Sequence, residues 1–164
     1  MPIRDVLAGP PQPITSPLAL EAADSSFTGI DFVPESFVAG PVQPGAALYS
    51  LEGDFGFSTA NGSPEVGHEV KLINFNQNAE QSLAVKILQF AHNTTNEQAF
   101  PDNLRGFNRP TNIRFGPDAC AYVVDYGAVR DVGQSDPATQ FLDPADGILV
   151  QFPGTGVIWK ICRK

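Results

Sequence analysis

Residues 109–127 read RPTNIRFGPDACAYVVDYG, and a second piece, residues 153–161, reads PGTGVIWKI. Apolar and polar side chains alternate over 111–115, which predicts a strand with one buried face. Residues 116–118, Gly-Pro-Asp, predict a tight turn, and the aromatic and β-branched residues that follow predict a second strand. With 157–161 as a third strand, the order is that of an antiparallel meander.

The same order of segments occurs earlier in the chain. Three pairs of segments match: 28–34 with 111–117, 47–52 with 120–125, and 67–72 with 156–161. A repeat of short meanders is typical of propeller blades. The sequence therefore predicts an all-β fold of two four-stranded antiparallel meanders, which are β-propeller blades and part of a ring.

The repeat divides the chain into three parts. Residues 1–23 are predicted as an N-terminal arm with an edge strand around Leu18, 24–92 as the first blade, and 93–164 as the second, closing blade. The closing blade offers about three strands before its end, so the strand of the arm is expected to complete a blade between chains. Assembly into a ring, for example of three copies, follows as a hypothesis; the alternative is that the remaining blades lie elsewhere.

The stretch RPTNIRFGPDACAYVVDYG followed by GTGVIWKI resembles the closing blade of the glucose/sorbosone dehydrogenase family, the PQQ-dependent sugar dehydrogenase-like six-bladed propellers. SSFTGIDF, ALYSLEGDFG and GHEVKLINF resemble the blade before it. The resemblance implies a quinoprotein-like oxidoreductase acting on CH-OH groups of sugars, with PQQ and calcium as cofactors. It also implies a secreted protein, periplasmic or extracellular.

Arg109 matches a quinone-binding arginine of that family, and the alternative is a structural cap on the blade. A second arginine of the motif falls at Thr111, and the lysine that grips the quinone falls near Glu52, where a carboxylate repels a carboxylated quinone. The region with the general-base histidine is absent. We therefore expect C-terminal blades that are not catalytic alone. The alternative is a non-catalytic module that self-assembles into a ring and binds a glycan or a protein.

Other side chains give weaker predictions. His68 is expected inside a strand with a structural role, and His92 is expected to be exposed at the start of a linker. The acidic residues Asp125, Asp143 and Asp146 match no calcium-loop spacing, so no metal ligand is predicted. Four aromatic residues near the blade ends could stack on sugar rings or fill the packing between blades: Phe55, Phe57, Phe107 and Tyr126.

The two cysteines, Cys120 and Cys162, flank strands that are predicted to pair. If Tyr126 lies near Gly156 in an antiparallel pair, the paired residue numbers sum to 282, as do those of the cysteines. A cross-strand disulfide and two free buried thiols remain equal alternatives.

The 164 residues are 42% hydrophobic, enough for a globular core, and carry a net charge of −8. That charge repels phosphate, so no nucleic-acid partner and no anionic membrane surface is predicted. There is no apolar run long enough to span a bilayer, and residues 1–13 show no signal-peptide core.

Overall fold

The computed structural model describes residues 19–23, 25–54, 65–77, 83–95, 97–99, 106–130 and 150–163. In these ranges the regular structure is almost entirely β-strand, with one short 3₁₀ turn at Glu35–Phe37. The strands found there are β1 (Phe27–Phe32), β2 (Ala47–Leu51), β3 (Glu69–Gln77), β4 (Leu83–His92), β5 (Pro110–Phe115), β6 (Ala121–Asp125), β7 (Val129–Arg130), β8 (Val150–Gln151) and β9 (Val157–Ile161). All their pairings are antiparallel, which confirms the prediction of an all-β fold built from antiparallel meanders.

The first sheet is a four-stranded meander in the order β1-β2-β3-β4. The sequence ALYSL of β2 is buried on both faces of the sheet, as expected for a strand inside a meander. The stretch 83–88, which also allows a helical turn by its composition, lies in β4 and continues as strand to His92. This sheet matches the four-stranded blade predicted for the first repeat.

The second sheet has three strands in the described ranges, in the order β5-β6-β9. Ala121 lies opposite Ile161 and Asp125 opposite Val157, which is the register predicted by the sum of residue numbers. Between β6 and β9, the short strands β7 and β8 pair with each other in a separate sheet. In the described residues the β5-β6-β9 sheet has no fourth strand. Of the edge strand predicted around Leu18, residues 19–21 are described and are not strand, and the rest lies outside the described residues.

The two sheets pack against each other around one apolar core. Its central side chains are Leu48, Val70 and Leu72 from the first sheet and Ile113, Ala121 and Val123 from the second. Phe107 and Trp159 meet edge to face nearby, with ring centroids 5.8 Å apart. Because full burial of each large apolar side chain contributes about 1.5–3 kcal/mol, this core is the main force that holds the sheets together.

The innermost strands of the two sheets, β1 and β5, lie side by side. The Thr28 hydroxyl donates to the Pro110 carbonyl at 3.0 Å, and the Phe115 N–H donates to the Asp31 carboxylate at 2.9 Å. Each strand also has an irregularity at its second residue, Thr28 in β1 and Thr111 in β5. The first strands of the two repeats thus correspond in detail.

The second strands correspond with a shift of one residue. Ile30 lies opposite Tyr49, whereas Ile113 lies opposite Val123, so matching Tyr49 with Tyr122 by sequence is wrong by one position. The connections before β2 and β6 differ in length, and matching each strand separately therefore cannot fix the register. A one-residue shift moves a side chain to the other face. Accordingly, Val123 packs into the core between the sheets, whereas Tyr49 packs on the opposite face of the first sheet.

Each sheet thus keeps one face away from the shared core. The outer face of the first sheet carries Phe27, Ile30, Phe32, Tyr49, Lys71 and Ile73. The outer face of the second sheet carries Arg114, Tyr122, Val124, Ile158 and Lys160. Phe27, Ile30 and Phe32 are 56%, 52% and 65% exposed, and Ile158 is 67% exposed. Apolar surface is therefore left open on both outer faces.

Candidate functional site

A cluster of buried polar side chains lies where β2 ends, β3 begins, β5 begins and β6 ends. We call it the polar cluster, and its members are Asp54, Glu65, His68, Gln98, Asn108, Arg109 and Asp125. Antiparallel meanders bring these strand ends to the same side of the molecule. Burial of a polar group costs free energy unless the group is hydrogen-bonded. The hydrogen bonds of this cluster therefore need to be traced one by one.

Arg109 is fully buried at the centre of the cluster. Its Nη1 donates to the Gly53 carbonyl at 2.9 Å, and its Nη2 donates to the carbonyls of Asp54 at 2.5 Å and Val129 at 3.3 Å. The guanidinium therefore joins the loop after β2 to the beginning of β7. These contacts are the ones that the structural alternative for Arg109 requires.

Asp125 holds the backbone around Arg109. One carboxylate oxygen accepts from the N–H groups of Arg109 at 2.8 Å and Gly127 at 2.9 Å. The other accepts from the N–H of Asn108 at 2.8 Å and from the Trp159 indole at 3.4 Å. Both oxygens are thus taken up by hydrogen bonds within the fold, a role that the position of Asp125 after an apolar strand does not reveal.

His68 lies one residue before β3 rather than inside it, in a left-handed conformation with φ of 55°. Its Nδ1 contacts the Asn108 carbonyl, and since a carbonyl only accepts, Nδ1 carries the proton. The ring packs directly on Gly53, where a Cβ atom would lie 2.3 Å from Cε1. Only glycine fits at that position, so the loop after β2 and the start of β3 are built around this imidazole.

Two effects keep the His68 imidazole neutral. Burial and, to a smaller extent, the positive charge of Arg109 lower the pKa of His68 to about 4. Its Nε2 lies 3.8 Å from the Glu65 carboxylate and has no hydrogen-bond partner among the described residues. A general base must reach a substrate proton, whereas this side chain has no exposed surface. The position of His68 supports the structural role predicted for it.

The second histidine lies apart from the polar cluster. His92 is the last residue of β4 and is exposed, and its Nδ1 lies 2.6 Å from the Asn93 carbonyl. The neighbouring Asn93 side chain holds the linker that leads to β5, because its amide donates to the carbonyls of Glu97 and Phe107, both at 2.7 Å. The surroundings of His92 are thus those of a surface turn.

The residues present do not fit a carboxylated quinone. The Arg109 guanidinium is enclosed by backbone carbonyls, and Thr111 uses its hydroxyl on the Val124 carbonyl at 3.3 Å. Glu52 is partly buried beside Arg109; burial raises the pKa of Glu52, and the charge of Arg109 offsets part of that rise. Arg109, Thr111 and Glu52 therefore present no accessible positive charge to a bound anion.

The described ranges also give no support for a calcium site. In them, no group of three or more His, Cys, Asp or Glu side chains is arranged to hold a metal ion. The predicted acidic loop with Asp143 and Asp146 lies outside the described residues.

Of the four aromatic side chains considered for sugar stacking, Phe107 is buried in the core and Tyr126 is 52% exposed. Tyr126 lines a pocket of ≈ 310 Å³ together with Phe152, at the same end of the molecule as the polar cluster. Phe55 and Phe57 lie outside the described residues. Carbohydrate stacking at Tyr126 stays a prediction.

Cys120 and Cys162 form a disulfide whose Cα atoms are 4.4 Å apart. It joins the residue before β6 to the residue after β9, in the register of the pairing between these two strands. Of the two alternatives left open by the sequence, the structure contains the disulfide.

Comparison with known proteins found no relative of this chain. A scan against protein-family models, a search of curated proteins and a search of solved structures each found no match. Within the described ranges, none of the helical structure is long and apolar enough to cross a membrane.

Proposed function

We propose that this chain forms two consecutive blades of a propeller resembling those of the glucose/sorbosone dehydrogenase family, and that these blades build the ring without catalysing sugar oxidation themselves. The observation that carries the proposal is the pair of faces through which the sheets meet. The first sheet contributes the face with Leu48, and the second contributes the face with Val123. When the strands are matched from their shared irregularity, Val123 corresponds to Tyr49, which lies on the other face of the first sheet.

Sheets that meet through opposite faces are arranged head to tail. At each end of the pair, one sheet keeps a free outer face. That outer face is equivalent to the face that the other sheet uses in the contact. Repetition of the same contact gives a closed ring when the rotation per blade fits, as in propellers. The open apolar surface on both outer faces agrees with this arrangement, because monomeric proteins rarely leave large apolar patches uncovered.

We propose a second copy of this chain as the occupant of the outer face of the first sheet. The outer face of its second sheet would bring the exposed side chains of Val124 and Ile158. On the first sheet it would meet the exposed side chains of Phe27, Ile30 and Phe32. Apolar surface on both outer faces, and repetition of the contact already made between the two sheets, thus support this occupant. Three copies would supply six blades.

Light scattering behind a sizing column tests this contact. We expect the mass of three chains for the unmodified protein, and single chains for both I30E and I158E, since each places a buried charge in the contact. A mixture of the two variants keeps one intact pair of faces and should give a two-chain complex. A symmetric contact between two first sheets would behave differently, because I158E alone would then still pair. A monomeric unmodified chain at every concentration would overturn self-assembly and leave the other blades to a longer protein.

We expect no sugar dehydrogenase activity from the chain alone. With PQQ, calcium, an aldose and a redox dye, dye reduction should equal that of the protein-free mixture, because Arg109 is committed to backbone carbonyls and Glu52 repels carboxylates. Reduction that scales with protein concentration would contradict a purely structural role. The resemblance also supports a periplasmic or extracellular location, with which the disulfide agrees.

A further inference from the structure

A short N-terminal segment lies on the outer face of the first sheet. We call residues 19–23 the strap. Ala19 lines an apolar pocket of ≈ 430 Å³ together with Phe27, Ile30, Tyr49 and Ile73. These side chains belong to the face that another blade is proposed to cover, so the strap and a second copy share one surface.

One carboxylate anchors the strap to that face. Glu21 Oε1 accepts from the Tyr49 hydroxyl at 2.5 Å, and Glu21 Oε2 accepts from Lys71 Nζ at 2.5 Å. The side chains of Glu21 and Lys71 are only 9% and 17% exposed, so water screens the ion pair weakly. Burial and Glu21 itself raise the pKa of Tyr49, and its hydroxyl therefore remains a donor.

Lys71 keeps a second partner when the strap leaves. Its Nζ lies 3.5 Å from Glu69 Oε1, and the other oxygen of Glu69 accepts from the Gln89 amide at 3.1 Å. Departure of Glu21 would therefore not leave an uncompensated buried cation, which would be very costly. The Tyr49 hydroxyl alone would need a new partner, from water or from an arriving blade.

A strap and a packed sheet cannot occupy the same part of this face. Sheets that pack face to face lie about 10 Å apart, with their side chains filling the space between them. A peptide segment held over Tyr49 and Ile30 fills that space. Close packing of another sheet therefore requires the strap to move aside.

We propose that the strap is a displaceable cover that competes with a second copy of this chain for the outer face of the first sheet and so sets the concentration at which blades assemble. This rests on the proposed self-assembly. The anchor is a small number of charge-assisted hydrogen bonds, which together change an equilibrium constant by about tenfold or more. That is enough to shift assembly and small enough to be overcome by a large apolar contact.

The test compares E21A with E35A, whose carboxylate lies on the exposed 3₁₀ turn away from this face. Two readouts are needed: fluorescence of the dye ANS, which binds exposed apolar surface, and mass by light scattering across a concentration series. In dilute protein, E21A should bind more ANS than the unmodified chain. Its assembly should begin at a concentration about tenfold lower. E35A should match the unmodified chain in both readouts.

The two proposals fail in different ways. If the unmodified chain assembles and E21A assembles at the same or a higher concentration, the strap does not compete and this inference is wrong, while self-assembly stands. If the unmodified chain stays monomeric at every concentration, its self-assembly is wrong whatever E21A does, and ANS decides whether the strap covers the face. Equal ANS binding by E21A and the unmodified chain would rule out the cover itself.

Discussion

Replacement of Arg109 by methionine is expected to lower the free energy of unfolding by about 3–5 kcal/mol, because each buried acceptor left without its donor costs about 1–3 kcal/mol. The carbonyls of Gly53, Asp54 and Val129 all accept from this guanidinium. Methionine keeps much of the volume and supplies no donor, so these carbonyls would be buried without their partner. Urea denaturation followed by circular dichroism measures the change.

The matched control is R163M, because Arg163 is exposed and makes one described hydrogen bond, to the Val38 carbonyl at 3.2 Å. We expect its free energy of unfolding to change by less than about 0.5 kcal/mol. R109K separates charge from shape, since lysine keeps the charge and loses the planar fork of donors. If R109K and R109M are both as stable as the unmodified chain, the structural role of Arg109 is wrong, and a ligand contact becomes the better explanation.

The second large effect is a loss of stability in acid that depends on His68. The pKa of this side chain is lowered to about 4 in the fold, whereas an unfolded histidine titrates near its ordinary value of about 6.5. Between these values the unfolded state binds more protons, so the free energy of unfolding falls as pH falls. The stabilisation is complete above about pH 6.5 and is lost by about pH 4, a change of about 3 kcal/mol.

H68N isolates that contribution. Asparagine tolerates the left-handed backbone at this position and places an amide donor near the Asn108 carbonyl, but it does not titrate. The difference in stability between the unmodified protein and H68N should therefore shrink as pH falls from about 6.5 to about 4. A pH-independent difference for H68N would show that His68 is not held neutral.

Much of the fold could be predicted from local sequence. Alternation over 111–115, the Gly-Pro-Asp turn and the β-branched run after it give β5 and β6 nearly to the residue. The register of β6 with β9 also follows, because a single pairing fixes the whole ladder and places Cys120 beside Cys162. These features depend on neighbours in the chain or on one strand pair, and such information is present in the sequence.

The polar cluster could not be predicted, because its contacts join residues far apart in sequence. Arg109 meets Gly53 across more than fifty positions, and His68 meets Asn108 across forty. In the sequence Asp125 is only a carboxylate at the end of a strand, and the path of the backbone is needed to show that its oxygens accept four hydrogen bonds within the fold. The one-residue shift between the second strands of the two repeats could not be predicted for a related reason. The connections before β2 and β6 differ in length, and their lengths set the register of each strand.

Hydrogen bonds that pass from one sheet to the other limit how such a protein can be divided or extended in evolution. Where repeats meet only through apolar side chains, units are added or lost one at a time, and stability changes in equal steps. Here the carbonyls of Gly53 and Asp54 depend on Arg109, and the imidazole of His68 depends on Asn108. A lone first meander would lose these partners and expose its apolar inner face to water. The unit that can be copied, inherited and folded is therefore the pair.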